Sequence, residues 1–349
     1  MIGSTNLDMP LFRLNDYKYI FGIIILGMFL KQKTLFPIIT AFLSGMFVSE
    51  LCSYAMAVNI TIPFLHFTQG MGNVPFMETY SDYSTILSIA LAIILYQLIT
   101  HTGSLTLFQK GVYTFFFVSA SFNIAILAGR SGYIMYALSI LTVLIFIYRK
   151  KLLKALLIAS LLIIGGYTLA YSLSPLFQTR VNTFINDIQL LQKNDFSTGV
   201  GARAGFYYYS IDLIKANPFF GVGAGDHIEE FKKIIVQKDS NPSNVHELFF
   251  NVRNGVNASL HSEILDDITQ FGFVGLMVFL SIFYHLMHPG HNDPFRIFLA
   301  TLTIVIFFAS SFGGNLFNSD FIGRFFLFFS ALSLITYEER KKQEASQSA

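Results

Sequence analysis

The chain reads as an all-α protein, a polytopic bundle of membrane-spanning helices. Only 13% of its 349 residues are charged and 53% are hydrophobic, against about 25% charged in an ordinary soluble domain. Its mean hydropathy is +0.56. Several apolar runs reach the roughly 18 residues that cross a bilayer, and they are continuous rather than alternating, which selects helices over a barrel.

Taken in order, the runs predict about nine spans, at residues 17–30, 34–57, 83–100, 111–129, 132–148, 152–173, 263–286, 295–312 and 321–337. The first is the shortest. Short loops rich in Lys and Arg stay on the cytoplasmic side. Lys31 and Lys33, then Arg149, Lys150, Lys151 and Lys154, then Arg340, Lys341 and Lys342 agree on one orientation. Alternation puts residues 58–82, 129–132, 174–262 and 313–320 on the outer face and the C-terminus in the cytoplasm. The expected division is one integral membrane domain over 1–337, with a large, mostly helical outer loop at 174–262 between the sixth and seventh spans, and a cytoplasmic tail at 338–349. The same alternation places the N-terminus outside, as expected if the first span is miscounted or if upstream helices have been lost and Met1 is an internal start. The first residues lack the basic stretch, apolar stretch and small-residue cleavage site of a signal peptide.

A formal net charge of +2 leaves no basic patch for a nucleic-acid partner. Cys52 stands alone and forms no internal disulfide. With no Trp, the interfacial anchors fall to the 17 Tyr and some of the 39 Phe. Within the outer loop, Val181, Phe184, Ile185, Ile188 and Leu191 recur at helical spacing and predict an amphipathic helix. A second helix is expected from about Ala202 to Ala216, ending before Pro218 because the residue ahead of a proline avoids helical geometry. Gly221, Gly223 and Gly225 make a turn with no strand ahead of it, unlike a nucleotide-binding glycine loop. The absence of a Walker sequence argues against an ATP-driven pump.

Three features can carry chemistry, all on the outer side. Gly129-Arg130-Ser131-Gly132 places a guanidinium at the edge of the hydrocarbon. It is either a snorkelling anchor or an anion contact, with the two glycines leaving room for a phosphate. Arg203, in Gly201-Ala202-Arg203-Ala204-Gly205-Phe206-Tyr207, offers the planar fork that suits phosphate oxygens, or is a solvated surface residue. His261 opens the seventh span in His261-Ser262-Glu263-Ile264-Leu265, ahead of Gly272-Phe273-Val274-Gly275-Leu276. A histidine can take a proton from a sugar hydroxyl near neutral pH, or be structural. Glu263, Asp266 and Asp267 beside it either hold a divalent cation or complement the helix N-terminus. His285, His288 and His291 straddle a Pro-Gly turn and make a weaker metal candidate. Glu50, inside the second span, is a mild flag.

In this order and topology, these segments, with Ala216-Asn217-Pro218-Phe219-Phe220-Gly221-Val222-Gly223, resemble the O-antigen ligase and polymerase family of bacterial envelope glycosyltransferases, from the second span to the C-terminus. The family carries more spans than are counted here, the deficit falling at the N-terminus. The resemblance implies an inner-membrane enzyme with a periplasmic active face. It would move an oligosaccharide from undecaprenyl diphosphate to an acceptor hydroxyl, with inversion and without cofactor or metal. It implies that Arg130 and Arg203 hold the donor diphosphate and that His261 is the base. The partners would be the lipid-linked donor, a lipid A-core or glycan acceptor, and membrane lipid. Ligation to lipid A-core is the first reading and repeat-unit polymerisation the second. A flippase of lipid-linked sugar is the rival of another class, disfavoured because no internal repeat is visible and the candidate groups share one face.

Overall fold

The computed structural model describes residues 18–30, 32–60, 74–77, 79–252, 259–288, 291–317 and 320–334. The predicted tail 338–349 and the cluster Arg340, Lys341 and Lys342 lie outside the described residues, as do Lys31 and most of the loop 58–82. Among the described residues every regular element is a helix: α1 Lys18–Phe29, α2 Gln32–Ala57, α3 Tyr80–Thr100, α4 Leu107–Ala125, α5 Arg130–Ile147, α6 Leu152–Leu173, α7 Pro175–Leu191, α8 Gly199–Ala216, α9 His227–Lys238, α10 Pro242–Val252, α11 Glu263–Met287, α12 Pro294–Ser310 and α13 Asp320–Ser333.

Each of the nine apolar runs coincides with a helix. Five stretches are long and apolar enough to cross a membrane: Thr34–Ala57 within α2, and α3, α5, α6 and α11. Among the described residues, the polar segment between α6 and α11 is mostly helical as well. Both predicted helices are present, as α7 and α8, and α8 stops short of Pro218. Two more, α9 and α10, are short and amphipathic. α9 buries His227, Ile228, Phe231 and Ile235 on one face, while Lys233 pairs with Glu230 at 2.6 Å on the other. A stripe of that spacing is what tertiary packing, rather than local propensity, turns into a helix.

The described residues group into two compact units. One takes residues from 26–181, 289–306 and 328–334. Its centre is α3, buried almost all round and packed on α4 and α5, with α6 against α5 and α2 against α4. Hydroxyls inside this bundle bond back along their own helix, Ser84 to the Tyr80 carbonyl at 2.6 Å and Ser88 to the Ser84 carbonyl at 2.7 Å. Such bonding satisfies polar groups where water is absent. Tyr96 of α3 stacks on Phe298 of α12 with ring centroids 4.2 Å apart.

The other unit takes residues from 18–25, 182–288 and 307–327. Here α8 packs against α9, α10 and α11 around a core that includes Phe206, Phe231, Ile235, Leu248, Val252 and Leu265. The polar segment therefore folds on a hydrophobic core of its own. α11 is broken at Gly272, whose φ of +64° lies in the left-handed region.

Candidate functional site

His261 sits just ahead of α11, whose N-cap is Ser262; the Ser262 hydroxyl accepts from the Leu265 amide. His261 has φ +52°, a conformation that costs a non-glycine residue about 1 kcal/mol or more and persists where its surroundings impose it. Those surroundings are explicit. The His261 amide donates to Ser259 Oγ at 2.8 Å, and Ser259 is bonded in turn to the Asn315 side chain. The ring lies over Phe206, centroids 6.0 Å apart at 25°. Its Nε2 bonds the Asn251 backbone carbonyl at 2.7 Å. A carbonyl only accepts, so Nε2 carries the proton and Nδ1 holds the lone pair. The imidazole is thus fixed in position and tautomer, with Nδ1 as its basic nitrogen.

Arg203 enters through α8. Phe206 and Tyr207 follow it by three and four residues, the spacing that shares one helix face. Phe206 meets the His261 ring, and the Tyr207 hydroxyl is 2.9 Å from Ser262 Oγ and donates to the Phe312 carbonyl at 2.7 Å. α8 is therefore pinned to the start of α11 one turn away from Arg203, which is exposed and donates from Nη1 to the Gly199 carbonyl at 3.3 Å. Arg203 and His261 belong to one unit, and Phe206, one turn along α8 from Arg203, lies against the His261 ring. Burial, offset by the Ser262 contact, raises the Tyr207 phenol above its ordinary pKa, so it serves there as a neutral hydrogen-bonding group.

The acids beside His261 are buried and knit loops to α11. Glu263 Oε2 accepts from the amides of Leu316 and Phe317 at 2.7 and 3.1 Å. Asp266 Oδ1 accepts from the Leu260 amide at 3.0 Å and meets His227 Nε2 at 3.0 Å. These bonds commit Glu263 and Asp266 to amides outside α11 and to His227, a tethering use that neither sequence option, cation ligand or helix-start complement, described. Among the described residues no cluster of three or more His, Cys, Asp or Glu is arranged to hold a metal. His288 Nδ1 lies 3.0 Å from the Tyr284 carbonyl, and His291 Nε2 lies 2.8 Å from the Ser333 carbonyl.

The buried His227–Asp266 pair was not anticipated. It fastens the backbone immediately before His261, and its members lie 39 positions apart, with nothing local to link them.

Arg130 belongs to the other unit and is the first residue of α5, after N-cap Gly129. The expected space around the glycines is not available to a phosphate. A Cβ on Gly132 would stand 2.1 Å from Ser84 Oγ, and one on Gly129 would stand 2.8 Å from the Tyr80 ring. The glycines are there so that α3 can close against α5, and the loss of bulk serves packing. A cation at a helix N-terminus opposes the helix dipole, so Arg130 is not placed for helix stability. A second arginine, Arg180 of α7, went unremarked in the sequence. It and Arg130 both act electrostatically on the Tyr133 hydroxyl, and Phe177, one turn before Arg180, packs on the Tyr133 ring with centroids 4.6 Å apart.

Comparison with known proteins finds a likeness over the middle of the chain. Residues 115–280 match the O-antigen ligase family. The matched stretch includes Arg130, Arg180, Arg203 and His261, so the resemblance read from the sequence holds over the residues that carry it. An uncharacterized protein of Haemophilus influenzae is 26% identical over 227 residues, which cover 62% of this chain and 54% of that protein. The chain thus spans about half the length of that relative. Over residues 115–280 the chain is similar to the O-antigen ligase family, and it carries helices long and apolar enough to cross a membrane.

Proposed function

We propose that the chain is a membrane glycosyltransferase that moves a glycan from undecaprenyl diphosphate to an acceptor hydroxyl. The acceptor is lipid A-core, the reaction takes place at the periplasmic face of the bacterial inner membrane, and the C-terminus is cytoplasmic. The observation that supports this best is that Phe206, one helical turn from the exposed Arg203, lies against the tautomer-fixed His261 ring, inside the stretch that matches the family.

In this reading the acceptor oxygen attacks the anomeric carbon from the face opposite the diphosphate. The new carbon–oxygen bond forms as the bond to the diphosphate breaks, and the configuration inverts. The electron pair leaves on the diphosphate, where Arg203 and Arg130 meet charge as it develops; fixed donors aimed at such charge are the most effective catalytic device. The acceptor proton passes to His261 Nδ1, and the Asn251 carbonyl stabilises the imidazolium through Nε2–H. Arg180, whose Nε is buried with no hydrogen-bond partner among the described residues, joins Arg130 as a further donor contact. His227 and Asp266 act by positioning.

The test is reconstitution in lipid vesicles with undecaprenyl diphosphate-linked oligosaccharide and lipid A-core. A glycosylated lipid A-core is the expected product. A ladder of lengthened, carrier-linked glycan overturns the ligase reading in favour of a polymerase. Donor crossing the bilayer without any new glycosidic bond overturns the enzyme reading in favour of a flippase.

A further inference from the structure

We propose that residues 217–221 re-enter the bilayer against the broken helix α11 and place Phe219 and Phe220 among lipid acyl chains. The inference depends on α11 spanning the membrane and not on the reaction assigned above.

The first argument is the hydrogen bonding of the break. In an uninterrupted helix the amides of residues 273 and 274 donate to the carbonyls of 269 and 270. In α11 the Phe273 amide donates to the Pro218 carbonyl at 2.8 Å and the Val274 amide to the Phe219 carbonyl at 3.2 Å. The Thr269 carbonyl accepts from Val222 and the Gln270 carbonyl from Gly223, both at 3.0 Å. The turn is spliced into the helix, and all four backbone groups at the break are satisfied by protein. Irregular backbone is tolerated at membrane depth only on that condition. Pro218 helps further, since it brings no amide that needs a partner. Approach this close requires glycine on both sides. A Cβ on Gly221 would lie 2.4 Å from the Gln270 carbonyl carbon, and one on Gly272 would lie 2.3 Å from that of Phe219.

The second argument is length. Below the break, α11 is apolar from Phe273 to Met287 except for Ser281 and, in its last turn, His285, and at 1.5 Å per residue it spans about 22 Å of a hydrocarbon core about 30 Å thick. The remaining 8 Å or so falls above Gly272. There α11 carries Glu263, Asp266, Asp267, Thr269 and Gln270, all buried in protein and unfit to face lipid. The hydrocarbon boundary on that side therefore lies about five residues above the break, and the turn docked at the break lies beneath it.

The third is the surface presented. Phe219 and Phe220 are 67% and 74% exposed, and Phe273, Val274, Met277 and Val278 are exposed beside and below them. The aromatic pair continues the lipid-facing side of the span without a polar interruption. In water that patch would be a liability; among acyl chains it is the expected face.

The chain has no tryptophan, so each single-tryptophan variant reports one position. Phe219→Trp and Phe220→Trp, both at exposed sites that accept a larger ring, are placed in phosphatidylcholine vesicles with brominated acyl chains. Val278→Trp serves as the lipid reference and Glu229→Trp, on the exposed face of α9, as the aqueous reference. The expected result is blue-shifted emission and bromolipid quenching at least half that of Val278→Trp. Quenching should be stronger with bromines near the headgroup than near the bilayer centre, with iodide quenching well below that of Glu229→Trp. Emission and iodide quenching like those of Glu229→Trp at both positions, with no response to bromolipid, would overturn the proposal.

Discussion

Two helix starts carry the proposed chemistry, and they are built on opposite plans. At the start of α5, Arg130 stands between glycines whose missing side chains let Tyr80 and Ser84 close in; the local sequence serves packing, and the arginine rides on it. At the start of α11 a non-glycine residue holds a left-handed conformation, secured by Ser259, Asn251, Phe206 and, through Leu260, the buried His227–Asp266 pair. There the packing serves the residue. Strain kept at His261 by so many partners marks a position whose geometry matters.

The comparison can be broken most sharply at the arginines. Arg203→Lys should lose transfer almost as fully as Arg203→Ala, by about 100-fold at saturating donor, because lysine keeps the charge and loses the bidentate fork. Near-normal transfer by Arg203→Lys makes it a surface residue and leaves the α11 start without its partner. Gly132→Ala tests the other plan. Its Cβ meets Ser84 Oγ and Cβ at 2.1 and 2.3 Å, so the variant should lose about 1–3 kcal/mol of stability, the usual cost of overpacking. Thermal unfolding in detergent reads this, and Ser84→Gly in the same chain should restore the midpoint; an unchanged midpoint for Gly132→Ala removes the packing explanation. Arg130→Lys should cost less than Arg203→Lys, under about tenfold or 1.4 kcal/mol, because a snorkelling lysine still brings its charge to the same edge. The smallest expected effect is none: with Glu263 and Asp266 committed to backbone amides, chelators should leave the transfer rate unchanged. Loss of activity with EDTA, restored by a divalent cation, would recentre the site on these acids.

The contrast also explains what the sequence made legible. A run of about 20 apolar residues has few fates, so the nine runs mark their helices to within a few residues. Arg203 and His261 were visible because a guanidinium and an imidazole in a charge-poor chain have few neighbours to share a role with. α9 and α10 were not separately visible: each is under four turns long, and its apolar stripe becomes a signal only against the core it packs on. The role of Gly129 and Gly132 was misread, since a glycine pair says that something approaches closely and not whether it is a phosphate or Ser84. The break at Gly272 was beyond reach for the same reason, because its partner is a turn some fifty residues earlier in the chain.

The central claim is that the surface joining Arg203 to His261 performs transfer with His261 as base. Its most direct test is the single-turnover transfer rate of His261→Ala in reconstituted vesicles, measured with donor binding in the same preparation and with the wild-type rate followed across pH. A base must be neutral to accept a proton, so wild-type transfer should fall on acidification as His261 takes up a proton. His261→Ala should keep donor affinity and lose about 100-fold or more in rate. Full transfer by a folded His261→Ala protein, with the same pH profile as the wild type, would contradict the account.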